Sequence, residues 1–539
     1  MAHLSGTPSS LPQDYAILSR FSAPLSGETQ EELEASPAKL NDQEEYSFPS
    51  SYILPPQPSM TIIPTAPGVL QPTENTPLLA PLMPRIRENV DFPCDGREPS
   101  TVQMYWEELC HISTVALAAA TIGFMTANVT GLSIIHGLVS TLDTMLPGAW
   151  TSDQPHLVGL WTQRMTIVVA VALIPMFAIW CNAEPILLLL RQEPEVARLA
   201  GIYLKWASLG LPAYAFNCIS RRYFQSQGLF NAPTRIIVAV APINVLLNYL
   251  LVWGPEPIRL GFIGAPIATS VSYNLVSITS VIYGVFFVER TAWHPLSRRS
   301  FTSLGLLVQL GLGGVGQVAS EWWSWELIGL AASLLGPTAL ATQSVLLSTC
   351  SSTFQAPFSL GIATSVRIGN LLGERNARRA EVSAIVAILL SAVIAAFFSA
   401  VLLTFRKSWG YLFNNDIEVV TLVASILPIL ALFQVPDFAC AITSGILRAR
   451  GKQFTGALLN ISAYYVIGIP FGLWLTFKQD MRLVGLWCGL TAALLYASTL
   501  GIWLCLRTNW KREVEKVAER LAVDKKYRDG HADSEHLTQ

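Results

Sequence analysis

From residue 114 to residue 507 the chain is a succession of apolar runs separated by short polar loops. Most of these runs have the roughly 20 residues needed to cross a hydrocarbon core. This constrains the fold more than any single motif. A chain inside lipid must satisfy its backbone hydrogen bonds within itself, so each such run is expected to be a helix. Strands do not explain the pattern, because a barrel alternates with period two. Charged residues make up only 13% of the chain, against roughly 25% in an ordinary soluble domain. Spans are expected near 114–142, 165–183, 198–227, 234–254, 261–288, 304–335, 338–366, 382–405, 418–446, 454–477 and 483–507, eleven in all. The fold class is an all-α polytopic membrane protein.

The short loops set the orientation through their lysines and arginines. Arg221, Arg222 and Arg235 mark one side, followed by Arg290, Arg298 and Arg299. Arg367, Arg375, Arg378 and Arg379 fall on the same side, as do Arg448, Arg450, Lys452, Lys511 and Arg512. This basic side is assigned to the cytoplasm. Residues 1–110 are acidic, Pro/Ser-rich and poor in basic residues, which reads as a disordered tail rather than a signal peptide. The eight cysteines are scattered through or beside apolar runs and show no metal spacing. The seven histidines form no cluster, and no nucleophile, base and acid stand in a catalytic order. The chain is therefore not expected to be an enzyme, to hold a cofactor or metal, or to bind nucleic acid.

The apolar region repeats itself. Ala116-Leu117-Ala118 matches Ala339-Leu340-Ala341, and the glycine of "FQSQG", Gly228, matches that of "LRARG", Gly451. The two pairs are separated by the same distance along the chain. A shared offset implies two homologous lobes in the same orientation with a site between them, as in known transporters. The N-lobe is placed at 111–297 with five spans, the C-lobe at 298–510 with six, and a charged tail at 511–539. That tail reads as solvated, although "NWKREVEKVAERLAVDKK" has the pattern of an amphipathic helix on a lipid surface.

Several segments resemble the multidrug and toxic compound extrusion (MATE) family, in its eukaryotic and specifically fungal branch. They are "MTANVTGLSIIHGLVSTLDT", "YFQSQG", "SEWWSWE", "ATQS", "SVRIGNLLG", "GILRARGKQFTGALLNISAYYVIGIPFGL" and "VGLWCGL", in family order over 114–500. The resemblance implies a twelve-helix monomer in the bilayer that exports small organic cations and other xenobiotics against entering ions. Protons are favoured over sodium as that ion. A lipid or lipid-linked flippase of the same superfamily is the alternative. One departure is local: Gly148 and Trp150 stand where the family has Gln-Ala-Tyr-Gly.

Three acids lie within apolar runs: Glu321, Glu326 and Asp437. An ionised group at mid-span costs roughly 2.5–3.5 kcal/mol on insertion scales, so it is kept only if protonated, paired or facing water. All three match the family, which implies a coupling-ion and substrate site. For Glu321 the plainer reading is a structural acid bonded to an asparagine on a neighbouring helix, and for Asp437 a kink with a capped carboxylate. Five residues separate Glu321 from Glu326, about 140° around a helix, so the two do not share a face. Pro436 removes a backbone N–H beside Asp437 and should loosen the turn. Trp322 and Trp323 suit stacking on cations or packing toward lipid equally well. Tyr464 and Tyr465 resemble the family's paired tyrosines, which implies substrate contact. Asn128, Asn217, Gln343 and Gln355 fit either the path or bonds between helices. Asp143 reads as a cap or inter-loop partner, and Arg367 and Arg448 as residues that cap helix ends and hold lobes or lipid.

"GLGGVG" at 311–316 spells a dinucleotide fingerprint, but it lies within a membrane run with no strand before it. Close packing of small residues accounts for it. "ENTPLL", with Glu74, Leu78 and Leu79, has the spacing of an acidic dileucine sorting signal. Used as one, it directs the protein to vacuolar or endosomal membrane; otherwise plasma membrane is expected. Replacing Leu78 and Leu79 with alanine should then move a tagged protein to the cell surface, and an unchanged location makes the hexamer a chance match.

The repeat leaves one span without a partner. Shifted back by the repeat offset, the span 304–335 falls on 81–112, which reads "PLMPRIRENVDFPCDGREPSTVQMYWEELCHI" and cannot cross hydrocarbon. "YWEEL" resembles the family's sequence just before its first helix and "HIST" the sequence just after it, yet here "MYWEELCHIST" joins them. The first helix is expected to be missing, through a skipped exon or in a real, transport-inactive short form. Sequencing the transcript across Glu108 to Val115 decides between them: an inserted apolar stretch restores twelve helices, and an uninterrupted junction sinks the exon explanation.

Overall fold

The computed structural model describes residues 115–520. The sorting hexamer, the tail 1–110, the window 81–112 and residues 521–539 lie outside the described residues. Within the described residues eleven long helices follow one another through the apolar region. The first half holds α1 Val115–Trp150, α2 Leu157–Cys181, α3 over 194–226, α4 Asn231–Trp253 and α5 Gly261–Phe287. The second half holds α6 Leu304–Ser333, α7 Pro337–Gly373, α8 Ala377–Thr404, α9 Ile417–Ala449, α10 Gln453–Phe477 and α11 Arg482–Leu506. Eight of these are long and apolar enough to cross a membrane. The other three, α3, α6 and α7, are long enough but more polar, and α6 and α7 line the seam between the lobes.

Each expected span is found, most within a few residues of its expected ends. The repeat is present in the helix boundaries as well. Shifted back by the same offset, α9 gives 194–226, the bounds of α3, and α7 gives 114–150, one residue from α1. The helix that leads the second half, α6, finds no partner among the described residues.

Two differences from the sequence expectation have a common cause. Where the first span is expected to end at 142, α1 runs on through Pro147 to Trp150. The second starts at Leu157 rather than 165. Both stretches are polar because they face protein: Asp143, Thr144 and Arg164 are each at most 5% exposed. Lipid-facing hydropathy therefore underrates them. A third difference is that α9 runs unbroken past Pro428 and Pro436.

The lobes meet along α1, α6 and α7, and glycines set the distance. Gly137 in α1 lies against Gly314 and Val315 of α6, so that a Cβ on Gly314 would overlap the Gly137 carbonyl oxygen. Gly311 faces Leu138, Gly313 faces Gln453 and Phe454, and Gly316 faces Ala457. The run "GLGGVG" is thus a helix-packing surface on both flanks. Gly305 and Gly329, on the same helix, have open space around them. Gly314→Ala should cost about 1–3 kcal/mol, the usual penalty of overpacking, while Gly305→Ala stays within about 0.5 kcal/mol. Thermal midpoints of the two variants in detergent check this; equal midpoints would mean the seam yields freely.

Candidate functional site

At the basic end of the seam Asp143 is held from both lobes. Its Oδ1 accepts from Arg222 Nε of α3 at 3.0 Å, and its Oδ2 pairs with Arg448 Nε of α9 at 3.3 Å. Thr144 Oγ1 donates to the Arg448 carbonyl and accepts from Gln453 Nε2 at 2.7 Å. Thr151 Oγ1 donates to the Asn370 carbonyl at 2.7 Å. Asp143 is therefore an inter-lobe partner, and Arg448 does hold the lobes. Arg367, by contrast, is exposed on α7.

Above this closed end lies a cavity between the lobes. Glu321 of α6 and Asp437 of α9 both line it, with Tyr464 of α10. Asp143, Arg222 and Arg448 form its floor, and Trp322, Phe354 and Phe358 supply aromatic wall. From the N-lobe His136 reaches across, its ring stacked 5.8 Å from Trp322 and 6.2 Å from Phe358. Asn460, which also lines the cavity, donates to the Gln317 carbonyl at 3.0 Å.

Glu326 turns elsewhere. Asn128 Nδ2 of α1 donates to its Oε1 at 3.4 Å, a direct bond between lobes. The angle between the two glutamates on α6 is thus realised: one faces the cavity, the other the seam. The asparagine partner that the plainer reading gives Glu321 is found on Glu326. Asn128 opens a π-helical stretch, Asn128–Leu132, and Tyr464 lies inside a second, Ser462–Gly468. Such widened turns often mark functional positions in helices.

The remaining candidates separate by exposure and bonding. Trp322 is 6% exposed and faces the cavity, whereas Trp323 is 38% exposed and faces outward. Tyr465 packs against the C-lobe core rather than lining the cavity. Gln343 accepts from Trp487 Nε1 at 2.9 Å inside the C-lobe. Asn217 donates to the Tyr273 carbonyl at 3.0 Å and accepts from Ser277 at 2.8 Å, which joins α3 to α5. Gln355 reaches a carbonyl of its own helix. Among the described residues no His, Cys, Asp and Glu group of three or more could hold a metal ion.

Sequence reasoning missed His136, Phe354, Phe358 and the pairing of Asp143. A lone histidine in an apolar run carries no spacing signature, and partners 79 or more residues away along the chain leave none either.

The arrangement has two carboxylates and an aromatic wall in a cavity between lobes, with the arginines already paired to Asp143. A carboxylate there can hold a proton or a cation.

The MatE family model matches residues 108–250 and 315–474. An uncharacterized transporter of Schizosaccharomyces pombe is 38% identical over 407 residues, 76% of this chain and 75% of that protein. Multidrug and toxin extrusion protein 2 of Mus musculus is 33% identical, over 77% of this chain and 72% of its own. The crystal structure of the eukaryotic MATE transporter AtDTX14 superposes with a TM-score of 0.70 at 32% identity, covering 77% of this chain and 94% of that one. Family match, relatives and fold agree, and the chain belongs to the MatE family of multidrug and toxin extrusion transporters, as a multi-pass membrane protein.

Proposed function

We propose that the chain is a secondary active exporter of small organic cations and other xenobiotics, driven by entering protons. One observation carries the reading: Glu321 and Asp437, from two different helices, face the same inter-lobe cavity. An ionised carboxylate in such a place attracts a cation strongly, because little water screens it. A proton on the same carboxylate removes that attraction. Binding of one therefore expels the other, which is the simplest form of antiport. A difference of one pH unit supplies about 1.4 kcal/mol per proton, enough to concentrate a solute about tenfold.

The walls of the cavity come from both lobes, with Asp143, Arg222 and His136 from one and Glu321, Asp437 and Tyr464 from the other. Rocking of the lobes about the glycine seam would thus change the site's access and its shape together. Trp322, Phe354 and Phe358 suit flat or quaternary cations, which gain from an aromatic face. The sorting hexamer, where used, would place this activity in vacuolar or endosomal membrane.

A second reading, a transport-inactive short form, is favoured by one observation. Helix α10 is covered by α6 through Gly313, Gly316 and Gln317. Its repeat in the N-lobe, α4, has no such cover among the described residues, and only 11% of its most apolar window is buried against 28% for α10.

Purified protein in liposomes loaded with a fluorescent cation should release it when a pH gradient is imposed, and not under a sodium gradient. Glu321→Gln should abolish pH-driven efflux, and Asp437→Asn should weaken it or shift its pH dependence. Glu326→Gln should stay near wild type, since glutamine still offers an acceptor to Asn128. Wild-type efflux from Glu321→Gln would remove that residue from the mechanism. No efflux from the unaltered chain would favour the inactive short form.

A further inference from the structure

Residues 510–520, expected in a solvated tail, form a helix, α12, that is folded onto the basic end of the seam. Three of its side chains are buried: Trp510 at 5% exposure, Glu513 at 4% and Val517 at 8%. Their spacing of three and four residues gives one face. That face touches both lobes. On the C-lobe side the Arg450 guanidinium lies 5.8 Å from the Trp510 ring, and Trp510 and Val517 pack with Ile368, Leu371 and Leu372 of α7. On the N-lobe side Val517 meets Gly148 of α1, where a Cβ would lie 3.2 Å from the valine methyl. Space at Gly451 is bounded both by the Arg520 guanidinium of α12 and by the Thr144 methyl of α1.

Charge fixes the same helix. Glu513 Oε1 accepts from Lys516 Nζ at 3.0 Å and faces Arg450 at 3.6 Å and Lys452 at 4.0 Å. Burial and the neighbouring Arg450, Lys516 and Arg512 push the Lys452 ammonium down, while Glu513 acts in the other direction. Glu513 is therefore the acid that lets this crowd of cations pack together. The helix lies beside the Asp143–Arg448 pair, so any separation of α1 from α9 at this end must also pull Gly148 from Val517.

We propose that α12 is a latch on the transport cycle: it clamps the lobes at the basic end and must lift before the cavity opens on that side. The inference rests on the rocking of the two lobes set out above. It gives the C-terminal segment a regulatory role, because whatever draws α12 away from the seam releases the clamp.

The test joins α12 to α1 reversibly. In a chain whose native cysteines are replaced, Gly148→Cys with Val517→Cys tests a disulfide here, since a Cβ at 148 lies 3.2 Å from the Val517 Cγ1 whose place a cysteine sulfur can take. Oxidation should abolish efflux and reduction should restore it, with each single variant unaffected by oxidant. Efflux that continues unchanged in the cross-linked protein overturns the latch. A second readout does not need transport. With Ser444→Cys, which lines the cavity, labelling by an impermeant maleimide from the basic side should rise several-fold when Glu513→Gln and Val517→Asp loosen α12. Absence of efflux in both redox states would count against the exporter reading alone; unchanged labelling at Ser444→Cys would then overturn the latch separately.

Discussion

Everything in this fold depends on how two helical lobes hold together in a solvent that gives them no reason to. Lipid tails are as apolar as leucine, so burying apolar side chains between lobes gains little, and packing and polar contacts have to supply the attraction. The seam is built accordingly. Gly137 and Gly314 bring the backbones of α1 and α6 into contact, and Asp143 then satisfies Arg222 of its own lobe and Arg448 of the other. Removing one partner of such a buried set would leave an uncompensated charge, which is far costlier than losing a surface ion pair. The polar seam is therefore firm when closed, and Leu307, Leu310 and Val315 of α6 also pack into the apolar core of the first lobe.

That division explains where the acids are. Asp143 is committed to closure, with both its oxygens engaged. Glu326 is committed to a weaker contact higher in the seam, a single hydrogen bond from Asn128 at 3.4 Å. Glu321 and Asp437 remain for the cavity, with Tyr464 beside them. Two of these acids thus join the lobes and the other two face the cavity. Because the closing set lines the same cavity, a change of charge at Glu321 is felt electrostatically by Arg448, and the site and the gate are neighbours rather than remote partners.

Much of the architecture was legible because hydrocarbon imposes a length. The eleven spans, the basic loops and the constant offset of the repeat all arise from constraints that act locally along the chain. The limits of legibility are physical too. Residues 143–150 read as a loop because hydropathy measures preference for lipid, and this part of α1 faces protein. Helical geometry showed that Glu321 and Glu326 point in different directions, but not which one meets the cavity; that depends on the packing of α1. The same packing separates Trp322 from Trp323. His136 gave no signal because a single imidazole acquires meaning only from the Trp322 and Phe358 rings of the other lobe. The terminal helix reads as solvated since its charges dominate its composition, whereas only every third or fourth residue touches the body.

The repeat makes the two lobes comparable position by position, and the comparison is unequal. In the C-lobe, α6 does three things at once: it covers α10, supplies the glycines of the seam and carries both glutamates. Among the described residues the N-lobe has no helix in the equivalent place, so its side of the seam is built mainly by α1, with Arg222 of α3 and Arg164 of α2 beside it. This accounts for the asymmetry of the chemistry. The acids open to the cavity come from the C-lobe, while the N-lobe contributes His136, Arg222 and an Asp143 that is already paired. The closing set joins Asp143 and Arg222 of the N-lobe to Arg448 of the C-lobe, so parting the lobes splits that set while Glu321 and Asp437 stay together on one side.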